Sequence, residues 1–210
     1  MADTIDRRLG VAGELVLRRS GDHFEIIANG VFLMDTRNGE SERLLVTSAA
    51  AAMPPGPLLI GGLGVGFSLR AALDHPRVAD ITVVEREAAV IDWCSGPLRH
   101  VHDDALSDPR VRCVHADLRA WLPDKAGFAA ICLDIDNGPE WTVSPDNAAL
   151  YAPAGLDLLA GALAPGGVLA VWSASASEAF AARLRARFDH VEQLPVPVPR
   201  GEPDVVYLAL

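Results

Sequence analysis

Positive charge is scarce in this chain: 18 Lys+Arg stand against 28 Asp+Glu in 210 residues, a formal net charge of −10. A nucleic-acid binder neutralises phosphates with a clustered basic face, and no Lys/Arg cluster occurs here. Nucleic acid and anionic membrane surfaces are therefore excluded as natural partners. Cysteine is sparse as well. Cys94, Cys113 and Cys132 are odd in number, widely spaced and set in apolar runs, which argues against a disulfide framework and suits a reduced, cytoplasmic setting. No apolar segment follows the arginines near the N-terminus, so the start does not read as a signal peptide. Long apolar helices are missing too. The stretch without charge between Arg43 and Arg70 is broken by Pro54, Pro55 and Pro57 and by Gly61, Gly62, Gly64 and Gly66, so two short elements are expected rather than a membrane span.

Apolar residues are not lacking. At 50% hydrophobic and 22% charged, the chain is far from the composition of disorder and can bury a core of ordinary domain size. The first forty residues alternate as strands do in Glu14-Leu15-Val16-Leu17, Phe24-Glu25-Ile26-Ile27 and Val31-Phe32-Leu33-Met34, with Asn29-Gly30 as a two-residue hairpin turn. A small antiparallel sheet is expected over residues 1–39, then a helix and linker over 40–56 ended by Pro54-Pro55. From residue 57 to 210 strands alternate with helices, the pattern of a mostly parallel α/β sheet wrapped by crossovers. Expected strands are 58–62, 81–85, 111–115, 129–134 and 168–173; expected helices are 67–73, 87–93, 118–122, 147–163 and 177–187. Segments 191–198 and 205–210 are joined by so short a link that they must pair antiparallel.

The chemistry concentrates at the ends of these strands. Leu58-Leu59-Ile60 runs into Gly61-Gly62-Leu63-Gly64-Val65-Gly66, a glycine-rich turn opening a helix, where backbone N–H groups can meet an electronegative ligand. A dinucleotide fingerprint would put Gly or Ala at position 67, where Phe67 stands, so a nicotinamide oxidoreductase is disfavoured. The spacing of Gly62, Gly64 and Gly66 suits a sulfonium nucleoside. Glu85 ends the second strand of the α/β unit 21 residues after Gly64, where a carboxylate can accept from both ribose hydroxyls. Asp117 can accept from an adenine amino group, or cap the helix that begins at Leu118. The fourth strand of that unit delivers Asp134, Asp136, Glu140 and Trp141 to the sheet edge where α/β folds bind ligands. Trp141 and Tyr151 are candidate aromatic walls for a cation, against plainer roles as a loop plug and a core residue. His100 and His102 carry metal-type ligands but sit in a polar linker, and no metal is expected. Cys132, Trp93 and Trp121 read as core.

With these residues in view, the chain resembles the class I S-adenosylmethionine-dependent transferases, in the G-x-G-x-G turn, the acid after the second strand and the closing antiparallel hairpin. Within them it is most similar to the spermidine synthase-like aminopropyltransferases. The likeness runs from about residue 24 to 173 and rests on the N-terminal hairpin, Ile60-Gly61-Gly62, His75-Pro76-Arg77-Val78, Val84-Glu85 with Val90-Ile91, Asp108-Pro109-Arg110-Val111, and the 134–139 loop followed by Tyr151. It implies S-adenosylmethionine or its decarboxylated form at Gly62, Gly64, Gly66, Glu85, Arg86, Asp117, Leu118 and Asp134, a small cationic amine acceptor, and a homodimer made through the N-terminal sheet. It also implies that Asp134 helps deprotonate the attacking amine, with Asp136 beside it. The chain departs from the family's pattern in three places. The glycine turn lacks the acid that pairs with the aminopropyl ammonium and offers Leu63 and Val65; the family's aromatic-plus-polar pair falls on Ser41-Glu42; and the gate loop is shortened to 134–139. Glu42, Asp136 and Glu140 are the candidates to replace the lost acid. Methyl and aminopropyl transfer both stay open, with a non-catalytic nucleoside-binding relative as the alternative.

Overall fold

In the computed structural model, which describes residues 2–142, 145–199 and 201–210, the chain opens with four antiparallel strands in sequence order. They are β1 (Ala2–Gly10), β2 (Gly13–Ser20), β3 (His23–Ala28) and β4 (Val31–Asp35). Asn29 and Gly30 both take positive φ, 50° and 79°, the backbone of the tight hairpin expected there. β1 was not expected. Its side chains are almost all exposed, so it carries no apolar alternation, and pairing with β2 alone defines it as a strand.

Helix α1 (Glu40–Ala52) turns its small apolar side, Leu45, Val46, Ala49 and Ala50, into the core and stops before Pro54. The main sheet then begins with β5 (Gly56–Gly61), followed by α2 (Phe67–Asp74), β6 (Val78–Glu85), α3 (Ala88–Ser95), β7 (Val111–His115), α4 (Leu118–Trp121) and β8 (Phe128–Leu133). It closes with α5 (Pro153–Ala162), β9 (Leu163–Ser173), α6 (Glu178–Arg185), β10 (Val191–Val196) and β11 (Asp204–Ala209). The seven strands lie in the order β10-β11-β9-β8-β5-β6-β7. All are parallel except β11, which runs antiparallel to both its neighbours. This is the mixed α/β sheet with an antiparallel closing hairpin that the sequence indicates.

Central β5 is buried on both faces. Leu58 and Ile60 face one core with α1, α2 and α3, and Leu59 faces the other with α5 and α6, as the two-residue period of a strand requires. The uncharged stretch before Arg70 is thus the end of α1, then β5, then the glycine turn. Among the described residues no helix is long and apolar enough to cross a membrane. The expected helix 147–163 is instead a 3₁₀ turn, Pro145–Leu150, followed by α5, because Pro153 forces Ala152 into an extended conformation (ψ 161°) and restarts the helix. β9 starts at Leu163 rather than 168, where Leu163 pairs with Phe128 of β8. Trp93 is core, whereas Trp121 is half-buried beneath Lys125.

The N-terminal sheet is tied onto α3. Trp93 Nε1 donates to Asp6 Oδ2 (2.8 Å), Arg8 pairs with Asp92 (2.6 Å), and Val11 N donates to Glu87 Oε2 (2.9 Å). Leu15, Leu17 and Ile26 join the core shared with α1, α2 and α3. The small sheet therefore roofs the C-terminal edge of β5 and β6.

Candidate active site

The glycine turn shows its backbone to the cavity and its side chains to the core. Leu63 and Val65 are buried, so neither offers a polar group. Gly62 has φ +92°, and a Cβ there would collide with the carbonyl oxygen of Asp134. Gly64, at φ +54°, lies against the sulfur of Met34 in the roof. Only glycine meets both requirements of backbone angle and close approach. The third glycine serves a different end. Gly66 leaves room for the ring of His102 and is not among the residues lining the cavity.

Between the turn, the strand ends and the roof lies a cavity of about 480 Å³, a size suited to a nucleoside and a short chain. Glu85 is on its wall and 8% exposed. Its Oε2 accepts from Leu63 N (2.8 Å) and its Oε1 from Glu87 N (2.7 Å), which fixes the carboxylate while each oxygen keeps a lone pair for a ribose hydroxyl. Burial pushes its pKa upward, against those two backbone donors. Of the two roles the sequence suggests for Asp117, the helix cap is present. It caps α4 by accepting from Arg119 N (2.8 Å) and Ala120 N (3.3 Å), both at Oδ1, which leaves Oδ2 for an amino group. Arg86 and Leu118 line the same wall.

Asp134 sits on the cavity floor, just past β8. Ser68 Oγ donates to its Oδ2 (3.0 Å). Burial, and then the carboxylate of Glu42, push its pKa up to about 7. A carboxylate so tuned can take a proton from a bound ammonium near neutral pH. Glu42 from α1 and Asp204 at the start of β11 line the cavity beside it, and both are pushed upward, chiefly by burial. Asp136, in a left-handed conformation (φ 54°), accepts from Asn147 Nδ2 (2.8 Å) and also lines the cavity. Trp141 is 60% exposed at its mouth.

Two expected substrate residues lie elsewhere. Tyr151 is 1% exposed, stacks edge-on against Phe180, and donates to the Ile135 carbonyl (3.0 Å); it supports the floor from beneath. Glu140 points away from the cavity, where its Oε1 accepts from Ser177 Oγ and from Arg183, each at 2.9 Å. A cation already on the protein thus occupies the carboxylate proposed for a ligand. His100 and His102 do not converge: one packs edge-on against Phe24, and the other is buried with its nitrogens at Cys94 O and Ala105 N. Among the described residues no group of three or more His, Cys, Asp or Glu could hold a metal ion. Sequence reasoning did not single out Ser68, Asp204, Met34 or Glu87. Only Asp204 had a signal, as an isolated acid opening an apolar strand, and its hydrogen-bond partner Ser41 is 163 residues away in sequence.

Residues 43–184 match the family described as "Spermine/spermidine synthase domain". The chain belongs to the spermine/spermidine synthase family. It is similar to a polyamine aminopropyltransferase of Mycobacterium tuberculosis (strain ATCC 25618 / H37Rv), 33% identical over 167 residues that take in 77% of this chain and 31% of that protein. It is also similar to polyamine aminopropyltransferase 2 of Pseudomonas aeruginosa, 33% identical over 170 residues, 74% of this chain and 46% of that one. The chain thus spans about a third to a half of the length of these relatives. In fold it matches a spermidine synthase crystallised with the transition state analogue AdoDATO, at a TM-score of 0.82 and 18% identity, over 99% of this chain and 73% of that one. The spermidine synthase from Thermotoga maritima matches at 0.80 with 18% identity, over 99% and 72%. Within the spermine/spermidine synthase match lie Glu85, Asp117 and Asp134; Ser41, Glu42 and Asp204 lie outside it.

Proposed function

We propose that the chain transfers an aminopropyl group from decarboxylated S-adenosylmethionine to a small aliphatic amine. The carrying observation is the carboxylate set of the cavity, with Glu85 and Asp117 on the nucleoside wall and Asp134, Glu42 and Asp204 around the floor. Those three floor acids would repel the carboxylate of intact S-adenosylmethionine and attract an amine tail, which favours aminopropyl over methyl transfer. The names of the relatives above point the same way.

Glu85 would hold the ribose hydroxyls, Asp117 Oδ2 the adenine amino group, and the glycine turn would let the nucleoside close onto the backbone. Asp134 would take a proton from the acceptor ammonium, freeing the nitrogen lone pair. In-line attack on the aminopropyl carbon then forms the N–C bond, and the C–S electron pair returns to sulfur, leaving methylthioadenosine. Met34, packed over Gly64, would help keep water from the reacting centre.

The test is mass spectrometry of the chain incubated with decarboxylated S-adenosylmethionine and a series of α,ω-diamines. Methylthioadenosine appearing in step with an aminopropylated amine is expected. Methyl transfer from S-adenosylmethionine, or binding of the nucleoside without turnover of any amine, would overturn the proposal.

A further inference from the structure

Ser41 Oγ lies 3.0 Å from Glu42 Oε2 and 2.8 Å from Asp204 Oδ2. A hydroxyl has one proton to give and an ionised carboxylate has none, so only one of these contacts is a hydrogen bond while both acids are charged. The other sets lone pair against lone pair. Asp134 adds a third carboxylate that feels both acids. Among the described residues no ion pair includes Glu42, Asp134 or Asp204. The adjacent Arg43 is exposed and stacks over the Phe67 ring (4.5 Å to its centroid).

An independent feature marks the same end of the cavity. Asn137 lines it and is 7% exposed, yet its buried Nδ2 finds no hydrogen-bond acceptor among the described residues. Its backbone carbonyl accepts from Ala174 N (3.1 Å), just past β9, and β11 pairs there through Val205 and Ser173, next to Asp204. A buried, unpaired amide N–H is costly and calls for an acceptor, which an ammonium does not have, so it marks a polar end of the cavity and not the ammonium's own partner.

We infer that Ser41, Glu42 and Asp204 form the seat of a primary alkylammonium group, with Asp204 as the specificity-determining residue contributed by the closing hairpin. An ammonium has three N–H donors, one for each carboxylate and one for the hydroxyl oxygen, and it converts the strained contact into charge-assisted hydrogen bonds. The glycine turn cannot supply this charge, because Leu63 and Val65 face the core. The inference rests on the aminopropyl-transfer function for its ligand, since the ammonium belongs either to the decarboxylated donor or to the amine acceptor.

Titration calorimetry on the whole chain separates the sources. Decarboxylated S-adenosylmethionine, 1,4-diaminobutane and methylthioadenosine, the last being the same nucleoside without the ammonium, are titrated into wild type, Asp204→Asn and Glu42→Gln. The expected result is a loss of about tenfold or more in affinity for one of the two ammonium ligands in each variant, with methylthioadenosine unchanged within about twofold. The ligand that loses affinity is the one seated there. Unchanged affinity for both ammonium ligands, a parallel loss for methylthioadenosine, or a wild type that binds neither ammonium ligand would overturn the inference. If Asp204→Asn does not fold, Glu42→Gln carries the same comparison. Ammonium-dependent binding without turnover defeats the proposed function and leaves the seat standing; turnover with unchanged ammonium affinity does the reverse.

Discussion

Asp134 carries opposite consequences for activity and for stability. Under the proposed function Asp134 must be ionised to act as the base, so kcat/KM for amine transfer should climb about tenfold per pH unit below pH 7 and level off above it, following the carboxyl pushed up to about 7. Stability runs the other way. The folded state holds the Asp134 proton more tightly than the unfolded chain does, so this contribution is complete below the ordinary aspartate pKa and is lost as pH rises through about 7. Asp134→Asn should therefore lower turnover by about 10²-fold or more. The same variant should melt above wild type at pH 8, by roughly 2–4 °C per kcal/mol of repulsion relieved, with the gap closing near pH 4. Equal melting at both pH values would show that no charge is strained there. At Gly62 the constraint is steric: with φ +92° and the Asp134 carbonyl in the way of a Cβ, Gly62→Ala should cost about 1–3 kcal/mol in denaturant unfolding and displace the base.

At the scale of elements, the roof is a separate sheet held by polar ties at one end of α3. Asp6 with Trp93, Arg8 with Asp92 and Val11 with Glu87 fasten β1 and its turn, and Glu87 also lines the cavity. Removal of residues 2–11 should leave the seven-stranded sheet folded by circular dichroism while weakening methylthioadenosine binding about tenfold. Unchanged affinity would show that β1 plays no part in positioning the wall. The expected strands of the main sheet were readable because burial on one or both faces writes itself into apolar periodicity. β1 was not, because a strand whose side chains meet solvent on both faces leaves no such trace. The break at Pro153 carried a signal, the extended preference of the residue before a proline, but the alanine- and leucine-rich flanks outweighed it.

For the whole molecule, net charge and cavity act together. A formal charge of −10 and a floor of carboxylates attract cationic ligands over a distance set by the Debye length. The association rate of a diamine should fall several-fold between about 0.02 M and 0.5 M salt in stopped-flow measurements, while that of neutral methylthioadenosine stays level. Because the cavity is bounded by both sheets, its ligand should stabilise the whole fold. Saturation at about 100 Kd is worth ~2.7 kcal/mol, an upward shift in Tm of roughly 5–10 °C for a chain of this size.

The sequence by itself determined the α/β sheet and the glycine turn and put Glu85 and Asp117 at strand ends, because strand period, backbone permissiveness and strand-end placement are local properties. It also named Asp134, which follows a wholly buried strand. Tertiary structure decided which acids line the cavity. Glu140 and Tyr151 sit close to Asp134 along the chain, yet packing turns one onto Arg183 and the other beneath the floor. Asp204 is seventy residues beyond Asp134, yet the pairing of β11 with β9 brings it to the cavity. Burial and charge proximity are sums over neighbours from distant segments, and only the folded chain fixes which neighbours those are.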